Sequence, residues 1–228
     1  ILAASFVTSA AIFYLYVTID VPEPPVTEPS EFLGVDLGIV NLATDSDGNV
    51  YSGSQVNGLR HRHARLRSKL QKKGTQDTRR LLKRRRRKES RFATWVNHNI
   101  SKRLVTTAQD TGRGIALEDL KGIRARLTVA RPQRRVQQSW SFRQLRAFVE
   151  YKARLAGIKV VLVNPRNTSR TCPACGSCDK ANRPSQAQFS CLSCGLAGHA
   201  DTIAAENIRR AAVTQPYTPE SAQHSRQG

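Results

Sequence analysis

No methionine occurs among the 228 residues, not even at the first position. The expectation is a fragment, or a chain cut at a processing boundary. Aromatic residues make up only 6%, too few for wide base-stacking platforms to dominate recognition. Acids are scarce as well: 17 Asp or Glu stand against 37 Lys or Arg, a formal net charge of +20. A field of that sign draws phosphate polyanions or an anionic membrane surface. The five cysteines are too few and too regularly spaced for a small secreted disulfide scaffold, and point to a reducing compartment. Serine and cysteine give no nucleophile–base pairing, which leaves covalent catalysis without a candidate. The one long uncharged apolar run is Ile1 to Ile19. About 20 apolar residues can span a bilayer, so a membrane span or a signal segment is one reading. However, no basic stretch precedes the run, as a signal peptide requires, and Phe6, Val7, Ile12, Phe13, Tyr14 and Val17 are strand formers. The reading taken is a remnant of an N-terminal β-domain over residues 1–20, with no membrane partner.

What is present is organised around the stretch from Cys172 to Asn207. Cys172-x-x-Cys175 and Cys191-x-x-Cys194 are two hooks separated by fifteen residues. Each hook bends the backbone so that two thiolates face one point, and two hooks complete the four soft ligands of a closed tetrahedral zinc site. Gly176 and Gly195 follow the second cysteine of each hook, where a tight turn favours a residue without Cβ. Two disulfides are the plainer alternative. Cys178, between the hooks, is a spare thiol because four ligands already close the site. Asp201 comes seven residues after Cys194 and opens a helical pattern through Ile203, Ala204, Asn207 and Ile208. It is either a helix cap or a metal-binding carboxylate held by the knot.

With 39% hydrophobic residues the chain can build a real core, as one large domain or one domain with an insert. Val21 to Pro29 is a proline-rich, semi-rigid stretch and marks a linker over 21–31. Phe32-Leu-Gly-Val-Asp-Leu-Gly38 is an apolar strand interrupted by Asp36. A carboxylate there is costly to bury without a cation or a hydrogen-bond set. Strands over Ile39–Thr44 and Val50–Ser52 flank a turn, to which Asp45 and Asp47 belong. Residues 55–110 read as a helical hairpin broken near Gly74. Arg60 to Arg91 holds sixteen Lys or Arg and two acids, densest at Lys83, Arg84, Arg85, Arg86, Arg87 and Lys88. Interleaved Leu66, Leu70, Leu81, Leu82, Phe92, Trp95, Val96 and Ile100 give those helices a buried side, so the charge reads as a phosphate-backbone clamp. A plain solvated face is the alternative.

A second apolar strand, Gly114 to Leu120, carries Glu118 where it runs out, as a site residue would sit or as a cap or surface acid; Asp119 is the neighbouring alternative but should point to the other face. Residues 121–138 read as a basic loop. A helix follows over Trp140–Ala156 and stops at Gly157, then a buried strand over Ile158–Val163. Arg170, just before the first hook, is a phosphate-gripping candidate or a surface residue; His199 is a loop histidine or a phosphate contact. The polar tail over 214–228 lacks periodicity and reads as disordered. The order of elements predicts an α/β fold, a mixed sheet with flanking helices. Strand ends and the last helix start can bring Asp36, Glu118 and Asp201 together. Three carboxylates at one point repel, and oxygen-only ligands suit Mg²⁺ or Mn²⁺. Two such ions about 3.5–4 Å apart would serve phosphodiester hydrolysis.

The motifs GVDLGIVNLA, ALEDLKGI, TSRTCPACG with FSCLSCG, and HADTIAAENI resemble, in that order, the TnpB/OrfB nucleases of insertion sequences, relatives of the type V CRISPR effectors. The similarity runs from about Phe32 to Ala212. It implies an RNase H-like (RuvC-like) domain over 32–170, an inserted zinc ribbon over 171–198 and a final helix over 199–213. It implies Asp36, Glu118 and Asp201 as catalytic, magnesium-holding acids, and Cys172, Cys175, Cys191 and Cys194 as ligands of one structural zinc. It also implies cleavage of a DNA substrate under a guide RNA in the full-length form, in the cytoplasm of a prokaryote at the nucleoid. Family members carry an N-terminal β-barrel with a helical insert, of which only residues 1–20 could remain here. Two other functions stay open: a non-catalytic zinc-ribbon nucleic-acid binder, and a strand-transfer transposase using the same acids.

Overall fold

A computed structural model of the protein describes residues 3–9, 12–120 and 142–214. Strands β1 (Ala3–Ser9) and β2 (Ile12–Thr18) pair antiparallel over their whole length, in keeping with their strand-forming composition. The proline-rich stretch behind them is strapped down. Thr27 bridges Ile158 in parallel, its N–H donates to the Gly157 carbonyl at 3.3 Å, and Glu23 pairs with Arg154 at 3.0 Å.

The central sheet has five strands in the order β5-β4-β3-β6-β7. These are β3 (Phe32–Asp36), β4 (Asn41–Asp45), β5 (Val50–Ser52), β6 (Gly114–Glu118) and β7 (Val160–Val163). β3, β6 and β7 run parallel, while β4 and β5 form an antiparallel meander on the β3 side. The β4–β5 turn is held by Asp45, whose fully buried carboxylate accepts from the backbone N–H of Asp47 and Asn49. The sequence reading of Asp45 as a turn residue therefore has a clear structural basis. Asp47 instead pairs with Arg113 through two guanidinium nitrogens.

Helices α1 (Ser54–Lys73) and α2 (Gln76–Asp110) form the expected hairpin. It turns at Gly74, whose φ of 67° is left-handed, and Thr75 caps α2 by accepting from the Thr78 N–H. Helix α3 (Phe142–Leu155) packs beside α2, and α4 (Ala200–Thr214) is the last helix. Residues 121–141 and 215–228, which include the expected basic loop and polar tail, lie outside the described residues. Among the described residues no helix is long and apolar enough to cross a membrane.

The two faces of the sheet follow from the period of two along a strand. Leu33 and Val35 of β3 and Ile115 and Leu117 of β6 pack against Ile100, Leu104 and Ala108 of α2 and Leu145 and Val149 of α3. Phe32 and Ala116 point the other way, with Ile208 and Ala212 of α4. Truncating any of these fully buried leucines to alanine would cost about 2–5 kcal/mol. The alternation has a chemical consequence. If odd residues of β3 and β6 face α2, Asp36 and Glu118 lie on the α4 face. The parallel register sets Val35 beside Leu117, so the next step places Asp36 against Glu118 at the same sheet end.

The two cysteine hooks carry a small sheet of their own, β8 (Gln188–Ser190) and β9 (Ala197–His199), antiparallel. Phe189 packs there with Cys172, Cys191 and Ala200, the first residue of α4. The knuckle and the last helix thus share a core.

Candidate functional site

Each of the three acids is delivered by a different element. Asp36 ends β3, Glu118 ends β6, and Asp201 lies in the first turn of α4. The Asp36 carboxyl is pushed up to about 8, first by burial and then by the negative charges of Glu118 and Asp201. Burial also raises Glu118 above the usual carboxylate range, against the pull of a hydrogen bond from Thr168. The cause common to both shifts is burial, which disfavours the charged form; at Asp36 the neighbouring negative charges add to it. The acids are thus close enough to feel each other electrically. The tight cluster of metal-type ligand atoms among the described residues is a different one, the four hook cysteines.

Three groups that sequence reasoning passed over complete the site. Arg183 reaches Asp201 Oδ1 at 3.6 Å, and its charge lowers both Asp36 and Glu118. The side chain of Asn41 donates to Asp201 Oδ2 at 2.9 Å. The Thr168 hydroxyl donates to Glu118 Oε1. Arg183 projects from the loop between the hooks, and that loop is fixed by Asn182. The fully buried Asn182 amide donates to the carbonyls of Arg170 and Ser177, and its oxygen accepts from the Leu192 N–H. Asn207 of α4 donates to the carbonyls of Thr168 and Thr171, both at 2.7 Å. One helix therefore positions Asp201 and, through the Thr168 turn, the partner of Glu118. No sequence periodicity marks Arg183 or Thr168, because both sit in irregular backbone whose path is set by the hooks.

The other sequence candidates fall elsewhere. Asp119 pairs with Arg146 of α3 at 3.0 Å, on the face opposite Glu118. Arg170 is exposed and contributes only its backbone carbonyl to the Asn182 set. His199 is exposed at the end of β9. Of the basic run, Lys83, Arg84, Arg86, Arg87 and Lys88 are exposed and Arg85 is half-buried.

At the knuckle, the ligand sulfurs of Cys172, Cys175, Cys191 and Cys194 all lie within 4.8 Å of one another. The closest pairs, Cys172 with Cys194 and Cys175 with Cys191, are 3.5 Å apart. None is bonded in a disulfide, and Cys178 stands outside the cluster. Gly176 and Gly195 adopt φ of 75°, the left-handed turn that lets Gly176 N–H reach the Cys172 carbonyl and Gly195 N–H the Cys191 carbonyl. Four sulfurs in two matched turns could hold one metal ion.

Two family models match the chain. One, described as "Probable transposase" (OrfB_IS605), covers residues 15–123, and the other, the Cas12f1-like TNB domain, covers residues 142–208. A TnpB-like protein of Methanocaldococcus jannaschii is 30% identical over 206 residues, which are 84% of this chain and 73% of that protein. The chain belongs to the TnpB/OrfB family. This TnpB-family chain is also 31% identical to the CRISPR-associated endodeoxyribonuclease Cas12f1 of Sulfoacidibacillus thermotolerans over 86% of its own length and 49% of the relative's. Its fold is similar to that of a Cas12f ternary complex subunit, with a TM-score of 0.66 at 20% identity, covering 94% of this chain and 45% of the other. A Cas12f1–sgRNA–target DNA complex gives a TM-score of 0.63 at 20% identity, over 90% and 55% of the two chains. The TnpB-family chain thus spans about half the length of the Cas12f1 relative.

Proposed function

We propose that the chain is the nuclease region of a transposon-encoded, RNA-guided DNA endonuclease, with an RNase H-like sheet and a zinc ribbon. The observation that carries this reading is the meeting of Asp36, Glu118 and Asp201 around a carboxyl whose affinity for a proton has risen to about 8. A site that holds a proton so tightly also favours a divalent cation, and its donors are hard oxygens suited to Mg²⁺ or Mn²⁺. Asp36, Glu118 and Asp201 would hold those ions, which supply an activated water and a clamp on the scissile phosphate. The chain's own groups do the positioning. Asn41 fixes one Asp201 oxygen, Thr168 fixes one Glu118 oxygen, and the Arg183 fork lies where a phosphate oxygen would bring negative charge. The four cysteines would hold one structural Zn²⁺. The basic hairpin supplies the electrostatic footprint for DNA and guide RNA, and the names of the relatives support both partners.

The test is a DNA-nicking assay with Mg²⁺ on the chain carried within a full-length protein of the family and bound to RNA. Asp36→Asn and Asp201→Asn should each reduce cutting by at least a hundredfold while leaving nucleic-acid affinity within about threefold of wild type (1.4 kcal/mol is tenfold). Full activity in either variant would overturn the assignment.

A further inference from the structure

Phe92, Trp95, Phe148 and Tyr151 stand on the neighbouring helices α2 and α3. Along α2, Arg80, Arg84, Arg87, Arg91, Trp95, His98 and Lys102 recur every three or four residues, so they form one stripe on a helix. All are exposed. The stripe is roughly 33 Å long at 1.5 Å per residue. Its first half borders a groove of about 560 Å³ lined, among the described residues, by five cations, Arg80, Lys83, Arg84, Arg87 and Arg91, and by Ser90, and by no acid. Its second half becomes aromatic. Trp95 is 59% exposed and lies over Phe92, with ring centroids 5.9 Å apart and planes 22° from parallel. His98 stacks on Phe148 of α3 at 4.0 Å and 20°, and Phe148 meets Tyr151 edge-on at 5.9 Å. Lys152 locks the two helices by donating to the His98 carbonyl and the Ser101 hydroxyl, both at 2.7 Å, and its ammonium lies 5.9 Å from the Tyr151 ring.

We infer that this face of α2 and α3 is a docking ridge for an unpaired stretch of RNA, whose phosphates run along the arginine groove and whose bases stack on Trp95 and Tyr151. A basic track leading into exposed aromatic faces is the arrangement that binds single strands. Only unstacked bases can use the ring faces, and each such contact is worth a substantial share of affinity. A duplex would engage the cations and leave the rings idle. A second copy of a +20 chain would set like charge against this groove. The ridge lies on the α2 side of the sheet, whereas the three acids belong to the α4 side, so its occupant is not the strand being cut. The choice of RNA over DNA rests on the RNA-guided reading; the single-strand character does not.

The experiment uses this chain with Trp140→Phe, which leaves Trp95 as the one tryptophan, and oligouridine as the probe. Oligouridine should quench Trp95 emission. Trp95→Ala and Tyr151→Ala should each weaken binding about tenfold, and Trp95→Phe should restore most of it, which a mere loss of folding would not allow. Unchanged affinity in both alanine variants would overturn the ridge. Equal quenching by oligodeoxyuridine would overturn the assignment to RNA. Self-association in sedimentation that disappears in Trp95→Ala would mean that the occupant is a second copy. Asp36→Asn should leave the quenching intact, so failure of the nuclease reading and failure of the ridge are separate outcomes.

Discussion

Asp36 faces Glu118 from the neighbouring strand and Asp201 from α4, and burial keeps water from screening the three. An ordinary aspartate releases its proton near 3.8, and here the carboxyl is pushed up to about 8. A carboxyl whose folded pKa is raised stabilises the fold when protonated. Its contribution is complete below the unfolded value near 3.8 and is lost as the pH rises through the folded value near 8. Relative to Asp36→Asn, which does not titrate, the magnesium-free chain should lose stability steadily from about pH 4 to about pH 8 and then level off. Thermal unfolding in magnesium-free buffer, without a chelator, measures the slope across that range. Millimolar Mg²⁺ should flatten it, because a cation would replace the proton as the group offsetting the charge. A slope unchanged by Mg²⁺ would count against cation binding at this carboxyl. Asp36 was legible in the sequence because a charge inside an apolar strand demands a reason. Arg183, its principal counter-charge, was not: it stands in an irregular loop among other polar residues, where the Asn182 anchor and a hydrogen bond from its guanidinium to the Gln186 carbonyl hold it beside the acids.

At the scale of elements, the site depends on how closely α4 lies on β3, and Gly34 sets that distance. A Cβ at Gly34 would sit 2.1 Å from the Ala205 carbonyl oxygen and 2.6 Å from the Arg209 nitrogen. Both are helix backbone, so neither can swing aside, and α4 would have to move off the sheet. Gly34→Ala should therefore destabilise by about 1–3 kcal/mol, the usual cost of overpacking, and should lower cutting by displacing Asp201. Gly58→Ala is the matched control. It lies within α1 with open space around its Cβ position, so it should stabilise by roughly 0.5–1 kcal/mol. Urea unfolding of both variants decides it, and a Gly34→Ala protein as stable as wild type would remove the close-approach argument. Most elements could be read in advance. Short apolar runs marked the sheet strands, Gly74 broke the basic hairpin, and Gly157 ended α3 at a φ of 68°. The aromatic ridge could not be read, because His98 and Phe148 are far apart in sequence and stack only when α2 packs on α3. The low aromatic content argued against wide stacking platforms; the structure gathers five of the rings and imidazoles into one narrow one.

For the whole molecule, the knuckle and the five-stranded sheet are separate cores joined by α4. The sheet core contains none of the four cysteines, whereas Ala200 at the start of α4 packs directly on Cys172, Phe189 and Cys191. The Ala200 N–H also donates to the Ala187 carbonyl, and Arg183 reaches Asp201 from the loop between the hooks. Extracting the proposed zinc should therefore free the knuckle, release Arg183, and let the first turn of α4 fray, without melting the sheet. A strong chelator, or Cys191→Ser, should cut nuclease activity at least tenfold while far-UV circular dichroism loses only the small share due to the knuckle and one helical turn. Re-addition of zinc after chelation should restore cutting, since four free thiolates recover their geometry when the ion returns. If activity survived complete zinc removal, the knuckle would not be what holds Asp201 in place. If the entire fold melted with the metal, the two cores would not be independent.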